Sequence, residues 1–242
     1  MFELVIDVLY RTRILYKELV NSLYSILLLR SMRVLIEVPL HLTGFFYPIY
    51  TGDPETTGSL GAGVVITPGL TCSVRKGLKG VTFNGGVMET GPASIIYRAL
   101  RLREPLGIEL QGHCVPGAGY AFSAASALAV GSMLVASGIA EPIEVARVAH
   151  VLEVKHETGL GDILAIWEGG GLTVRTKAGA PGIGRAESVK VDEKVVVLTT
   201  ELGTMSTSTY LSKHSEKIIG LGRRLHEHFI KDPSLALFLE LS

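Results

Sequence analysis

The segment that decides the fold of this chain is Pro116–Ser126, PGAGYAFSAAS, in which two glycines precede a serine and a run of small residues. Before it, Gly107–Leu110 has the pattern of a strand, and after it Ala124–Ala136 forms an uncharged run typical of a buried helix. Unpaired amides at a helix start, together with the positive end of the helix dipole, attract anionic groups such as phosphate. The order of strand, glycine loop and helix start therefore predicts an anion-binding loop.

Three common glycine motifs fit this loop poorly. A P-loop carries a lysine followed by serine or threonine, which is missing here, and Phe122 occupies the third glycine position of a dinucleotide-binding motif. A nucleophile elbow would place glycines where Ala121 and Ala125 stand. The loop therefore either binds phosphate in another way or is a glycine-rich helix start without a ligand.

A second motif, Glu153–Asp162 with the sequence EVKHETGLGD, follows a helix predicted to begin near Pro142. Glu153 falls near the end of that helix, and Gly159 and Gly161 break the chain before Asp162. Isolated acidic residues are most often solvated surface carboxylates. Their position after the glycine loop favours a functional role for both.

In this order, the two motifs resemble those of the GHMP kinases, the superfamily of galactokinase, homoserine kinase and mevalonate kinase. Its second motif reads Pro-x-Gly-x-Gly-Leu-Gly-Ser-Ser-Ala-Ala, and its last serine, which reaches the magnesium of MgATP, falls on Ser123. The segments His41–Phe46 and Thr57–Gly63, together with Gly159–Trp167, resemble the archaeal pantoate kinases within that superfamily. The resemblance runs from about Met32 to the end of the chain.

The resemblance implies an α+β protein with the GHMP-kinase-like two-lobe fold. Residues 1–31 would be an N-terminal extension, residues 32–180 the ATP-binding lobe, similar to domain 2 of ribosomal protein S5, and residues 181–242 a partial C-terminal lobe. The implied reaction is phosphoryl transfer from MgATP to the primary hydroxyl of pantoate, which gives 4-phosphopantoate for coenzyme A synthesis. Three alternatives stay open: a homoserine- or mevalonate-type kinase, a hydrolase using Ser123, Asp162 and His214, and a non-catalytic remnant.

The resemblance also implies roles for particular residues. Asp162 would be the catalytic residue that orients or deprotonates the acceptor hydroxyl, while Ser123 and Glu153 would hold Mg²⁺ through the oxygen ligands that this cation prefers. Arg175 is the first candidate for the pantoate carboxylate, because a guanidinium offers a bidentate fork, with an exposed strand-end arginine as the alternative. His41, Thr43 and Ser59 are further candidate substrate contacts. The ATP-binding loop would consist of Pro116, Gly117, Ala118, Gly119, Tyr120, Ala121, Phe122 and Ser123.

The amino-acid composition limits the classes of partner and the compartment that can be expected for this chain. The chain has 23 basic and 23 acidic residues and no formal net charge, so nucleic-acid binding is not predicted. Two cysteines make no disulfide framework and fit a reducing, cytoplasmic compartment. The spacing of His150 and His156, and of His226 and His228, does not suit a metal site, so exposed or capping roles are predicted. Pantoate and ATP are the expected partners, and a homodimer is left open.

Both ends of the chain depart from the family pattern. In residues 1–31 the longest uncharged stretch, Leu19–Leu29, is too short to span a bilayer, and no signal-peptide cleavage site follows. We expect the physiological start at Met32, with a membrane-surface helix as the minor alternative. No glycine-rich third motif follows Gly222, so a truncated copy of the family is expected.

The remaining elements follow from apolar periodicity. Strands are predicted at Val64–Lys76, Gly80–Met88, Gly171–Thr176 and Lys190–Thr199, the last a valine-rich buried strand, and helices at Pro92–Leu102, Ser212–Phe229 and Pro233–Leu241.

Overall fold

A computed structural model of the protein describes residues 3–7, 33–99, 106–136, 140–192 and 194–242. The strands in these ranges are β1 (Glu3–Asp7), β2 (Arg33–Ile49), β3 (Gly58–Lys76), β4 (Gly80–Phe83), β5 (Gly86–Met88), β6 (Leu106–Gln111), β7 (Leu172–Lys177) and β8 (Arg185–Ser188). The helices are α1 (Pro92–Ala99), α2 (Phe122–Ala136), α3 (Pro142–Lys155), α4 (Asp162–Glu168), α5 (Thr207–Phe229) and α6 (Leu235–Leu241).

The sheet is built around the long antiparallel pair β2 and β3. Strand β3 pairs with β6 over residues 71–76 and with β7 over residues 61–64, so the sheet branches there. The order β1-β2-β3-β6-β4-β5 forms one arm, and β7 with β8 forms the other. Strands β4 and β5 form a hairpin closed by Asn84 and Gly85, whose φ angles of 47° and 83° suit a two-residue turn.

Helix α2 packs against the first arm of the sheet and is buried from Ala124 to Met133. Its small side chains allow close helix contacts: a Cβ at Gly131 would overlap Val145 of α3. Helix α3 begins with Pro142 in its first turn, and the Glu144 carboxylate accepts a hydrogen bond from the backbone amide of Glu141 at 3.1 Å. The glycine loop therefore leads into a helix held rigidly in the core.

A second core lies under the other arm of the sheet. Phe45 of β2 meets the rings of Phe229 in α5 and Phe238 in α6, and Leu172 and Val174 of β7 complete the cluster. Helix α5 packs mainly on β2. It thereby borders the cleft that holds the site described below.

Most of the predicted elements are confirmed, with shifted ends. The single strand predicted at Gly80–Met88 is wrong: this range forms the hairpin of β4 and β5, because the chain turns at Asn84 and Gly85. The chain is α+β, and the strand, glycine loop and helix follow one another as expected. The predicted helix from Pro92 ends at Ala99 in the described residues, and the helix predicted from Ser212 already begins at Thr207.

The predicted strand Lys190–Thr199 is wrong: the described residues of this range form no strand, and Val195–Leu198 are exposed. A valine-rich run favours a strand only where a neighbouring strand can pair with it. The outer strand β8 ends at Ser188, and no described strand lies beside the run.

The prediction of exposed or capping histidines is wrong for His150 and His226, which are buried. Each donates a hydrogen bond from Nε2 to a backbone carbonyl, of Thr57 and of Arg175 respectively, at 2.9 Å. An imidazole that satisfies a strand or loop carbonyl can be buried at little cost, which spacing along the chain does not reveal.

The predictions for residues 1–31 fall largely outside the described residues. The exception is Glu3–Asp7, which pairs parallel to the start of β2. The expected start at Met32 and the membrane-surface alternative therefore stay predictions, as do the domain boundaries. Within the described ranges, none of the helices is both long and apolar enough to cross a membrane.

Candidate active site

The glycine loop turns through three residues with positive φ. Gly117 and Gly119 have φ angles of 81° and 93°, and Ala121 has 53°, directly before helix α2 begins at Phe122. Residues 117–123 line a cleft of about 1250 Å³. The predicted loop is therefore exposed to a cavity at a helix start, where its amides can meet an anion.

The Ser123 hydroxyl lies beside a buried carboxylate. Ser123 donates a hydrogen bond to Thr158 Oγ1 at 2.9 Å, and Glu153 at the end of α3 is 1% exposed. Neither carboxylate oxygen of Glu153 has a hydrogen-bond partner among the described residues. A Cβ at Gly159 would lie 2.7 Å from both oxygens, so glycine at this position leaves room for the carboxylate.

The environment of Glu153 opposes its charge. Burial raises the pKa of Glu153 well above its usual value, and the charge of Asp162 adds to this, while the nearby Ser123 hydroxyl opposes it. Within the described ranges, no group of three histidine, cysteine or acidic side chains is placed to hold a metal ion. An unpartnered carboxylate beside a hydroxyl nevertheless fits Mg²⁺, which is typically held by one or two carboxylates together with substrate phosphates and water.

Asp162, at the start of α4, faces the cleft and is 24% exposed. His41 of β2 donates from Nδ1 to Asp162 Oδ1 at 2.7 Å, and the Thr43 hydroxyl lies 3.4 Å from the same oxygen. Burial alone would raise the pKa of Asp162, but the hydrogen bond from His41, the charge of Arg175 and the Thr43 hydroxyl together lower it. Asp162 is thus a carboxylate that stays ionised at the cleft wall.

Arg175 of β7 is fully buried beside Asp162 and is not an exposed strand-end arginine. Its Nε and Nη1 atoms make no hydrogen bond to the described residues. Burial lowers the pKa of the guanidinium and the Asp162 charge opposes this, but an arginine remains charged. A Cβ at Gly161 would overlap Ser59 Oγ and lie 2.8 Å from Arg175 Nε. Gly161 therefore lets both side chains approach the chain just before Asp162.

The cleft brings the two motifs together. It is lined by the glycine loop and by Thr43, Ser59, Asp162 and Arg175, while His41 and Glu153 lie behind its wall. Of the predicted ATP-binding residues, Pro116 lies outside this cleft and lines an adjoining cavity instead.

Sequence reasoning missed two parts of this region. Thr158 accepts the Ser123 hydrogen bond and, through its carbonyl, one from Thr207 at the start of α5. Its position between Glu153 and Gly159 in the second motif was the available signal. The second part is an adjoining cavity of about 470 Å³ that shares Phe122 and Ser123 with the cleft and has apolar walls from Phe83, Val87 and Met88. No local pattern marks these residues as cavity lining.

A scan against protein-family models gives no match. The pantoate kinase of Thermococcus kodakarensis is 34% identical over 209 residues, which cover 81% of this chain and 69% of that protein. The pantoate kinase of Methanospirillum hungatei is 32% identical over 193 residues, covering 75% and 65%. That of Methanocaldococcus jannaschii is 26% identical over 213 residues, covering 84% and 76%. The chain thus spans roughly two thirds to three quarters of these relatives.

Comparison with solved structures agrees with the similarity to pantoate kinases. A phosphotransferase related to the coenzyme A biosynthesis pathway superposes with a TM-score of 0.70 at 26% identity, covering 85% of this chain and 72% of that one. A mevalonate diphosphate decarboxylase from Trypanosoma brucei, at 14% identity and a TM-score of 0.52, shares the fold. The fold is that of a GHMP kinase. Within that superfamily, the chain belongs to the pantoate kinase family, as the sequence motifs predicted.

Proposed function

We propose that this chain transfers the γ-phosphoryl group of ATP to the primary hydroxyl of pantoate. The observation that carries the proposal is that one cleft holds an ionised Asp162 and the buried guanidinium of Arg175, whose Nε and Nη1 atoms have no hydrogen-bond partner among the described residues. A small acceptor with both a hydroxyl and a carboxylate matches that pair. The relatives named pantoate kinase support this acceptor.

In the proposed reaction, the acceptor oxygen forms a new bond to the γ-phosphorus while the bond from that phosphorus to the β–γ bridging oxygen breaks. ADP leaves, and the hydroxyl proton passes to Asp162. His41 holds the Asp162 carboxylate in place, and its own pKa is lowered by burial, so the imidazole donates as a neutral group. Phosphoryl transfer depends mainly on such positioning and on charge neutralisation.

The phosphates would lie on the amides of the glycine loop, because the loop opens into the cleft at the start of α2. The adjoining cavity walled by Phe83, Val87 and Met88 offers an apolar place for the base next to that loop. Ser123 and Glu153 would hold Mg²⁺, which when bound neutralises phosphate charge. This role would provide a cation for the Glu153 carboxylate, which has no hydrogen-bond partner among the described residues.

A hydrolase reaction at Ser123 is not favoured. The Ser123 hydroxyl donates to Thr158, and no histidine is hydrogen-bonded to it in the part of the chain that the structure describes. A nucleophilic serine needs a base within hydrogen-bond reach.

The test is phosphorus NMR of the purified chain with MgATP and each of three acceptors: pantoate, homoserine and mevalonate. A phosphomonoester signal that grows with pantoate, with matching ADP release, is the expected result. Faster transfer to homoserine or mevalonate would assign another acceptor, and ATP binding without transfer to any of them would assign a non-catalytic protein. Homodimer formation, the absence of nucleic-acid binding and a cytoplasmic location stay predictions.

A further inference from the structure

His226 links helix α5 to the strand that carries Arg175. Its side chain is 4% exposed, and Nε2 donates to the Arg175 carbonyl at 2.9 Å. The register between β7 and β8 shifts between Arg175 and Lys177, which marks an irregularity in the strand at this carbonyl. Such irregularities redirect side chains and are frequent next to active sites.

The imidazole of His226 is itself held by its neighbours. The Tyr47 ring packs edge-on against it with centroids 5.7 Å apart, and the Arg223 guanidinium lies 5.5 Å from the centre of the Tyr47 ring. His226 lies inside α5, three residues before the helix ends at Phe229, so it is not a cap. Its hydrogen bond therefore joins two rigid elements.

The Arg175 guanidinium has fewer hydrogen bonds to hold it. Its Nε and Nη1 atoms have no hydrogen-bond partner among the described residues, so neither nitrogen fixes the direction of the guanidinium. From outside the sheet, the Arg175 carbonyl accepts a hydrogen bond from His226. Small displacements of a group that positions a substrate have large effects on binding and rate.

We propose that His226 is a positioning residue for the acceptor carboxylate: it holds the irregular part of β7 so that the Arg175 guanidinium faces the cleft. The inference rests on the proposed function, because it takes Arg175 as the group that receives the carboxylate.

The experiment compares His226→Leu, which removes the donor, with His226→Gln, whose amide can still donate. The matched control is His228→Leu, an exposed histidine on the same helix. The leucine variant should raise KM for pantoate about tenfold, the cost of one buried hydrogen bond, and leave KM for ATP and kcat within about twofold. His226→Gln should recover most of the loss, and His228→Leu should match the parent chain.

Equal changes in both KM values, or a lowered Tm with both KM values intact, would reduce His226 to a structural residue and overturn the proposal. If His226→Leu does not fold, His226→Asn takes its place. The asparagine side chain is polar but too short to reach the Arg175 carbonyl, so it also removes the hydrogen bond. If the parent chain does not phosphorylate pantoate, the proposed function fails, and the Arg175 Nε–H resonance, assigned with Arg175→Lys, becomes the readout. If the resonance shifts in the variant without a donor at position 226 and returns in His226→Gln, the positioning role is supported. If the resonance is unchanged in the variant without a donor, the positioning role is refuted.

Discussion

Asp162 and Glu153 are two neighbouring carboxyl groups with pKa values shifted in opposite directions: the structure favours the ionised form of Asp162 and the neutral form of Glu153. Asp162 receives hydrogen bonds from His41 and Thr43 and faces Arg175, which together lower its pKa in spite of burial. Glu153 is buried with no hydrogen-bond partner among the described residues, and burial raises its pKa. Pairs of acidic groups whose environments separate their pKa values are typical of acid–base roles in active sites.

Replacement of Asp162 by asparagine should abolish transfer while nucleotide binding survives. The change keeps the shape and the contact with His41 but removes the carboxylate that takes the hydroxyl proton, so kcat should fall about a hundredfold or more. Steady-state kinetics and ATP titration measure the two properties. The exposed carboxylate Asp192, changed to asparagine, is the control and should keep normal turnover. Near-normal kcat in Asp162→Asn would remove Asp162 from the catalytic role.

Replacement of Glu153 by glutamine should separate stability from activity. In EDTA, the neutral amide avoids the cost of a buried, unpartnered charge and should raise Tm by about 2–4 °C, while Mg²⁺-dependent turnover falls about tenfold or more. The folded pKa of Glu153 is raised above the unfolded value of 4.5, so its contribution to stability is full below pH 4.5 and is lost as pH rises through the folded pKa. The Tm difference between variant and parent should therefore widen from pH 4.5 upward. A variant with unchanged Mg²⁺ dependence would contradict the role in metal binding.

At the scale of elements, the end of helix α3 shows how a local turn delivers the second motif to the site. The Thr158 amide donates to the Glu153 carbonyl and the Glu157 amide to the Val154 carbonyl, the two bonds of a Schellman turn. Glu157 occupies the left-handed position of that turn with a φ of 55°, where glycine is usual. The turn brings Thr158 against Ser123, at the price of backbone strain at Glu157.

Replacement of Glu157 by glycine should relieve that strain and raise the free energy of unfolding by about 1 kcal/mol. Urea denaturation measures the change. The neighbouring exposed residue Lys155 still lies within α3, so Lys155→Gly should lower stability by about 0.5–1 kcal/mol. A loss of stability in Glu157→Gly would mean that its carboxylate makes contacts that outweigh the strain.

At the scale of the whole molecule, three buried histidines connect distant parts of the chain. His41 of β2 holds Asp162, His150 of α3 holds the loop before β3, and His226 of α5 holds β7. Burial is the main cause that lowers the pKa of each below 6.5. All three are therefore expected to be neutral in the folded protein at neutral pH.

These histidines should make the protein less stable in mild acid. Below pH 6.5 these histidines bind more protons in the unfolded chain than in the folded protein. The free energy of unfolding should therefore fall as pH drops from 6.5 toward the folded pKa values. Each histidine adds up to about 1.4 kcal/mol per pH unit to the slope. Urea midpoints at pH 7.5, 6.5 and 5.5 measure it, and His150→Gln should flatten the curve. An identical slope in that variant would show that His150 does not contribute.

Short-range patterns were enough to predict the parts of the site that lie within a few residues of one another. Gly117 and Gly119 adopt the positive φ angles that a turn into a helix requires, and Pro142 opens α3, as their types indicate. Such features can be predicted because backbone preferences and helix starts depend on neighbours in the chain. The family and its α+β fold were predicted from the resemblance of the ordered motifs to those of known kinases.

Contacts between distant residues were decided by the tertiary structure. His41 and Asp162 are 121 positions apart, and only the fold of β2 against α4 brings them to 2.7 Å. Burial of Arg175, His150 and His226 likewise depends on packing from other elements, and the Lys190–Thr199 run lacks the neighbouring strand that its composition favours. Strand pairing and burial depend on which distant parts of the chain pack beside a residue. The local sequence around that residue does not specify those distant parts.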